Sequence, residues 1–94
     1  MATQIKLNQK ERCLELVFNQ GDKFKYPCQL LREQAGILSG QVYKEKDSEN
    51  VANINIVTIE PQGNYGLIFC FDDGYQQGVF TWEKLYDIAL EHSL

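Results

Sequence analysis

Asp72 and Asp73 stand side by side in the stretch FDDGYQQGVFTWEKL, residues 71–85. Two carboxylates that converge on one substrate make an acid–base pair. Neighbours at a strand end point to opposite faces instead, and the Gly74 that follows suits a hairpin turn needing positive φ. Both acids are therefore expected as turn and strand-end residues. Cys28 is the thiol in the most reactive setting. It lies at the start of a predicted helix, where the dipole would lower its pKa, and Arg32 follows one turn on. That pattern would suit a thiol-dependent enzyme or a metal-binding thiol. No base or resolving cysteine accompanies it, and cysteine is among the most buried residue types, so a small residue seating the helix on the sheet is the preferred reading. His92 is the one histidine. It lies close to a frayed chain end, unsuited to positioned catalysis. A non-haem iron site needs two histidines and a carboxylate, which this chain cannot supply by itself. Gly36 and Gly40 lack the spacing of a phosphate-binding loop.

The 94 residues fit one domain, taken as residues 1–94, with 44% hydrophobic residues and a net charge of −4. A core of this size is marginal, so packing on a partner would help it. Lys23, Lys25 and Arg32 are isolated, and Lys44 and Lys46 sit among acids. Nucleic-acid binding needs a basic stripe, and none is present. No stretch is long and apolar enough to span a bilayer, and MATQIKLNQKER lacks the apolar region of a secretory signal. A cytoplasmic setting is expected, where disulfides are rare. Cys13, Cys28 and Cys70 are odd in number and form no CxxC pair, so neither a disulfide framework nor a zinc knuckle is indicated.

Positioning these groups requires a set of short elements. Leu14, Leu16 and Phe18 alternate with wetter neighbours, a turn signal follows at residues 19–22, and Phe24 and Tyr26 resume the alternation. This predicts a hairpin. Tyr26-Pro27 opens a short helix running to Ala35, with Gly36 as its stop. Residues 40–50 are polar and read as an exposed loop. Residues 51–59 are β-branched and predict a strand. A turn at 61–64, a strand at 65–71 and a return at Val79-Phe80 follow. Thr81 caps a final helix in which Trp82, Leu85, Tyr86 and Ala89 recur at helical spacing, with Glu83 near the positive end of the dipole. The order β-β-α-β-β-β-α predicts an α+β domain with an antiparallel sheet. Trp82, Tyr86 and Tyr65 serve either as a lid on the core or as an aromatic surface for a partner; the helical spacing favours the core, and so small a domain leaves part of the stripe available.

The runs LELVF, FKYPCQLLRE and IEPQGNYGLIFCFDDGYQQGVFTWEKLYD together resemble the gamma-butyrobetaine hydroxylase-like N-terminal domain, also described as a bacterial domain of unknown function, DUF971. The resemblance runs from about Ile5 to about Ala89. It rests on Tyr26-Pro27, Leu31-Arg32, Ile59-Glu60-Pro61, Gly63-Asn64-Tyr65, Phe71-Asp72-Asp73-Gly74 and Thr81-Trp82, in that order. In the hydroxylases this domain precedes an iron- and 2-oxoglutarate-dependent oxygenase domain and holds a structural zinc. The resemblance places the zinc ligands at Ala35, Ile37, Gly40 and Tyr75, none of which is the family's cysteine or histidine. It implies the fold without the metal or any other cofactor, and a non-catalytic interaction domain. The surface would include Arg32, Glu33, Ile37, Tyr75 and Trp82, and the partner would be a protein of oxygenase type. Related domains also accompany ATPases of the iron–sulfur carrier type, which makes an adaptor for such carriers the alternative. In the zinc-binding relatives the metal ties the first helix to the last hairpin. Here Tyr75, with Ile37 packed on it, is expected to take over part of that link.

Overall fold

The computed structural model describes residues 2–38, 53–76 and 78–94. Strands β1 (Ala2–Asn8), β2 (Cys13–Phe18) and β3 (Lys23–Pro27) form one antiparallel sheet in that order. Helix α1 (Cys28–Leu38) follows directly. Strands β4 (Ile56–Gln62), β5 (Gly66–Phe71) and β6 (Phe80–Thr81) form a second antiparallel sheet, and helix α2 (Trp82–Glu91) comes last. The class is α+β as expected, with the strands divided between two sheets.

β2 and β5 share the same alternation of buried and half-buried residues. In the first sheet Leu14 faces Tyr26 across the ladder and Leu16 faces Phe24, so one face is continuously apolar. The turn between β2 and β3 closes with the Phe18 N–H on the Asp22 carbonyl at 2.8 Å, and with Gly21 at φ 91°. α2 begins as expected: the Thr81 hydroxyl accepts from the Lys84 N–H at 3.1 Å, satisfying one orphan donor of the first turn. The apolar faces of the two sheets and both helices meet in one core. Tyr26, Leu31, Ile56, Phe69, Phe80 and Leu85 are all essentially fully buried there. Among the described residues no charged side chain is buried, and the Tyr26 hydroxyl in the core is hydrogen-bonded.

Four boundaries differ from the sequence reading. β1 was not anticipated. Its described side chains are largely exposed, Ile5 at 44%, so it carries no burial signal and is set by its ladder to β2. α1 runs on to Leu38 with Gly36 buried inside it. The helix propensity lost at a glycine, about 1 kcal/mol against alanine, is outweighed by packing. β4 starts at Ile56 because Asn55 turns its backbone and side chain to other partners. The Asn55 amide donates to the Gln9 carbonyl at 2.7 Å and its oxygen accepts from the Ile56 N–H at 3.0 Å. Residues 51–52 of the expected strand, and the loop at 40–50 with Lys44 and Lys46, lie outside the described residues. β4 then continues through Pro61, which an edge strand tolerates. The turn therefore shifts to residues 63–65, with Gly63 at φ 51° and the Tyr65 N–H on the Gln62 carbonyl at 3.2 Å.

The two sheets are stitched at the link between β1 and β2. Besides the Asn55 bond, the Gln9 amide donates to the Ile56 carbonyl at 3.1 Å and Arg12 Nε to the Asn53 carbonyl at 3.1 Å. Among the described residues no helix is long and apolar enough to cross a membrane.

Candidate functional site

The hairpin after β5 brings three predicted residues together. The Phe71 N–H bonds the Tyr75 carbonyl at 2.9 Å, the Gly74 N–H bonds the Phe71 carbonyl at 3.0 Å, and Gly74 has φ 86°. The two acids diverge across this turn. Asp72 Oδ1 accepts from the Asn55 N–H at 3.3 Å. Asp73 Oδ1 accepts from the Tyr75 N–H at 3.0 Å, and its Oδ2 accepts from Arg32 Nε at 2.9 Å. Their bonds go to backbone and to α1, so they do not form an acid pair on one substrate.

Arg32 joins the hairpin to α1. Its guanidinium carbon lies 3.8 Å from the centre of the Tyr75 ring, and its side chain is only 17% exposed. A planar guanidinium makes both contacts at once, stacking on a ring while its edge pairs a carboxylate. Tyr75 is half-buried, and its hydroxyl is a buried side-chain oxygen with no hydrogen-bond partner among the described residues. Glu33 is half-buried and accepts from the Gln29 amide at 3.4 Å. Ile37 is 50% exposed and Ala35 is fully buried, while Gly40 lies outside the described residues. Arg32 is therefore the residue seen on Tyr75, where the sequence pointed to Ile37.

Cys28 is fully buried, and its sulfur lies 3.8 Å from Asn55 Oδ1. Burial pushes its thiol pKa up, outweighing the backbone bond at Ile56 that lowers it. Loss of hydration thus sets the direction of the shift, and a buried, protonated thiol does not suit a nucleophile. Cys13 is raised for the same first reason, burial. Cys70 is half-buried beside Gln76, and His92 is exposed at the end of α2.

Trp82 and Tyr86 line the other face of interest. The Trp82 indole donates to the Asn64 carbonyl at 3.0 Å, and the Tyr86 hydroxyl donates to Asp22 Oδ2 at 2.9 Å. Both rings are half-buried, and Tyr65 is 58% exposed. Asn55 and Asp22, which anchor these two regions, were not singled out from the sequence. An asparagine interrupting the β-branched run at 51–59 was the available signal for the first.

The sequence model of the family described as "Gamma-butyrobetaine hydroxylase-like, N-terminal" matches residues 5–86. The chain belongs to this family. Among solved structures it is similar to a protein of unknown function of the DUF971 family from Acidithiobacillus ferrooxidans, with a TM-score of 0.76 at 24% identity over 93% of this chain and 90% of that one. Two solution NMR structures match with TM-scores of 0.78 and 0.74, at 28% and 34% identity. They cover 99% and 97% of this chain and 75% and 70% of theirs. The comparison with curated proteins gave no match.

The resemblance assigns a zinc site to Ala35, Ile37, Gly40 and Tyr75. Ala35 and Ile37 carry no donor atom, and Tyr75 faces a guanidinium, whose positive charge opposes a cation in the same place. These residues do not fit the metal. Among the described residues no three of His, Cys, Asp or Glu come together as metal ligands. Elemental analysis of protein purified without a metal-affinity tag is expected to find no stoichiometric zinc. One tightly held equivalent would show that the site had moved.

Proposed function

We propose that this member of the gamma-butyrobetaine hydroxylase-like N-terminal family is a non-catalytic accessory domain that docks on a cytoplasmic protein partner of oxygenase type. The observation that carries the reading is Tyr75. Its hydroxyl is buried beside the Arg32–Asp73 pair and has no hydrogen-bond partner among the described residues; an unmet polar group costs about 1–3 kcal/mol. The hairpin that carries it has Gly74 and Gly78 at φ 86° and 95°, conformations that cost glycine little. A partner that shifts this turn and accepts from the hydroxyl removes that cost, which gives the domain a reason to bind. The groups that sequence chemistry would enlist are already committed elsewhere. Asp72 and Asp73 hold backbone and Arg32, and Cys28 is buried.

Tyr75→Ala is expected to lower stability by about 1–2 kcal/mol, the value of a partly buried aromatic side chain. It should also weaken capture of the partner. Capture assays against oxygenase-type proteins and iron–sulfur carrier ATPases encoded beside the domain would separate this reading from the adaptor alternative. If amide exchange showed residues 72–76 and the Arg32 turn as protected as β2 and β5, and the substitution left capture unchanged, the surface would be misassigned.

A further inference from the structure

α2 presents two parallel columns. Trp82 and Tyr86 are four residues apart, and so are Glu83 and Asp87, so each pair lines up along the helix surface. Together with Phe18 and Gln20 they line an open groove of about 360 Å³. The two rings in it are fixed. Each has its polar atom bonded away, Trp82 to Asn64 and Tyr86 to Asp22. Tyr86 is further braced edge-on by Phe18 at 5.4 Å and Phe24 at 5.5 Å between ring centres. Ring surface is thus offered in a set orientation, with no polar atom left to satisfy.

The carboxylates beside these rings are exposed, and neither has an ion pair or hydrogen-bond partner among the described residues. Glu83 favours the helix N-terminus, but Asp87 lies beyond the first turn and gains nothing there. The described lining contains two acids and no lysine or arginine. Elsewhere the same molecule shows what such a combination holds: the Arg32 guanidinium carbon sits over the Tyr75 ring, 3.8 Å from its centre, with its Nε on Asp73.

We propose that this groove takes an arginine side chain of a partner protein. A guanidinium can lie on a ring face while its edge pairs Glu83 or Asp87; a lysine ammonium is a more strongly hydrated point charge without a plane to stack. An apolar side chain would strip water from two unpaired carboxylates, and a phosphate would meet like charge. The site is separate from the Tyr75 hairpin and goes beyond the accessory-domain reading, so either can fail without the other.

Trp82 is the one tryptophan in the chain, so its emission reports on the groove directly. Titrating the full chain with hexa-arginine is expected to give a saturable change in Trp82 emission that weakens with salt. Hexa-lysine should bind about fivefold more weakly for want of stacking. The double variant Glu83→Gln/Asp87→Asn should bind hexa-arginine roughly five- to tenfold more weakly, the loss of two exposed ion pairs. The variant Glu60→Gln/Glu91→Gln removes the same charge from exposed positions outside the groove and should bind as the wild type does. No saturable change, equal binding of hexa-lysine, or equal losses in the two double variants would overturn the proposal. Free arginine binding as tightly as the peptide would overturn the assignment to a partner protein.

Discussion

Replacing Gly66 with alanine is expected to destabilise the domain by about 2–3 kcal/mol, at the upper end of the usual cost of overpacking. Gly66 opens β5 in the middle of the second sheet, paired to Gln62 on one side and Thr81 on the other. A β-carbon there would press into the Phe80 carbonyl oxygen and come within 3.0 Å of the Phe80 carbonyl carbon and Thr81 Cα. All three are backbone atoms, so no side chain can swing aside. Relief requires β6 to move off β5, and the cap of α2 moves with it, because Thr81 belongs to both. For a domain of this size the loss corresponds to roughly 10–20 °C in Tm. Gly66→Ala as stable as wild type in thermal and urea unfolding would show that β6 has more freedom than its close approach to β5 implies. Gly74→Ala is a useful contrast. Its β-carbon would meet nothing within 4 Å, and only its φ of 86° opposes the change.

Tyr26 yields the second large effect. It is fully buried on β3, and its hydroxyl donates to the Leu85 carbonyl of α2 at 2.6 Å. Tyr26→Ala should cost about 3–5 kcal/mol by opening a cavity where sheet and helix meet. Tyr26→Phe keeps the ring and should cost about 0.5–1.5 kcal/mol, the net value of one hydrogen bond. The two variants differ in a second way, through pH. Burial raises the Tyr26 pKa far above its ordinary value, so the folded state holds this proton more tightly than the unfolded chain does. The resulting stability is complete below the unfolded pKa near 10 and falls as pH rises past it. Cys13 and Cys28 are also raised by burial and act with the same sign, starting near pH 8.5. The wild type should therefore lose stability in alkali. Its advantage over Tyr26→Phe should be intact at pH 8 and shrink by about 1.4 kcal/mol at pH 11, one unit above the unfolded pKa. Urea midpoints of both proteins across this range provide the check; a gap that stays constant would mean the Tyr26 hydroxyl is not held neutral by its surroundings.

Most of the elements can be read from the chain itself, because each is written within a few residues. Alternation along Leu14, Leu16 and Phe18 marks β2, Thr81 marks the start of α2, and Gly74 marks the turn that keeps Asp72 and Asp73 from acting together. The same local rules misplace what depends on distant residues. None of the described side chains of β1 is fully buried, and the strand exists because β2 offers it a ladder. β4 begins late because Asn55 is bonded to Gln9, 46 residues away.

The candidate site divides in the same way. The residue types were legible: Arg32, Asp73, Tyr75, Trp82 and Tyr86 all stood out by chemistry or spacing. Their partners were not, since a guanidinium 41 residues from its carboxylate leaves no periodic trace. Nor does Tyr86, 64 residues from Asp22, announce that its hydroxyl is taken and only its ring surface is left. Cys28 shows why such choices need the folded molecule. The helix start that would activate a thiol is local and visible in sequence. The burial that raises its pKa comes from packing of the core around it, where a thiolate would lose its hydration.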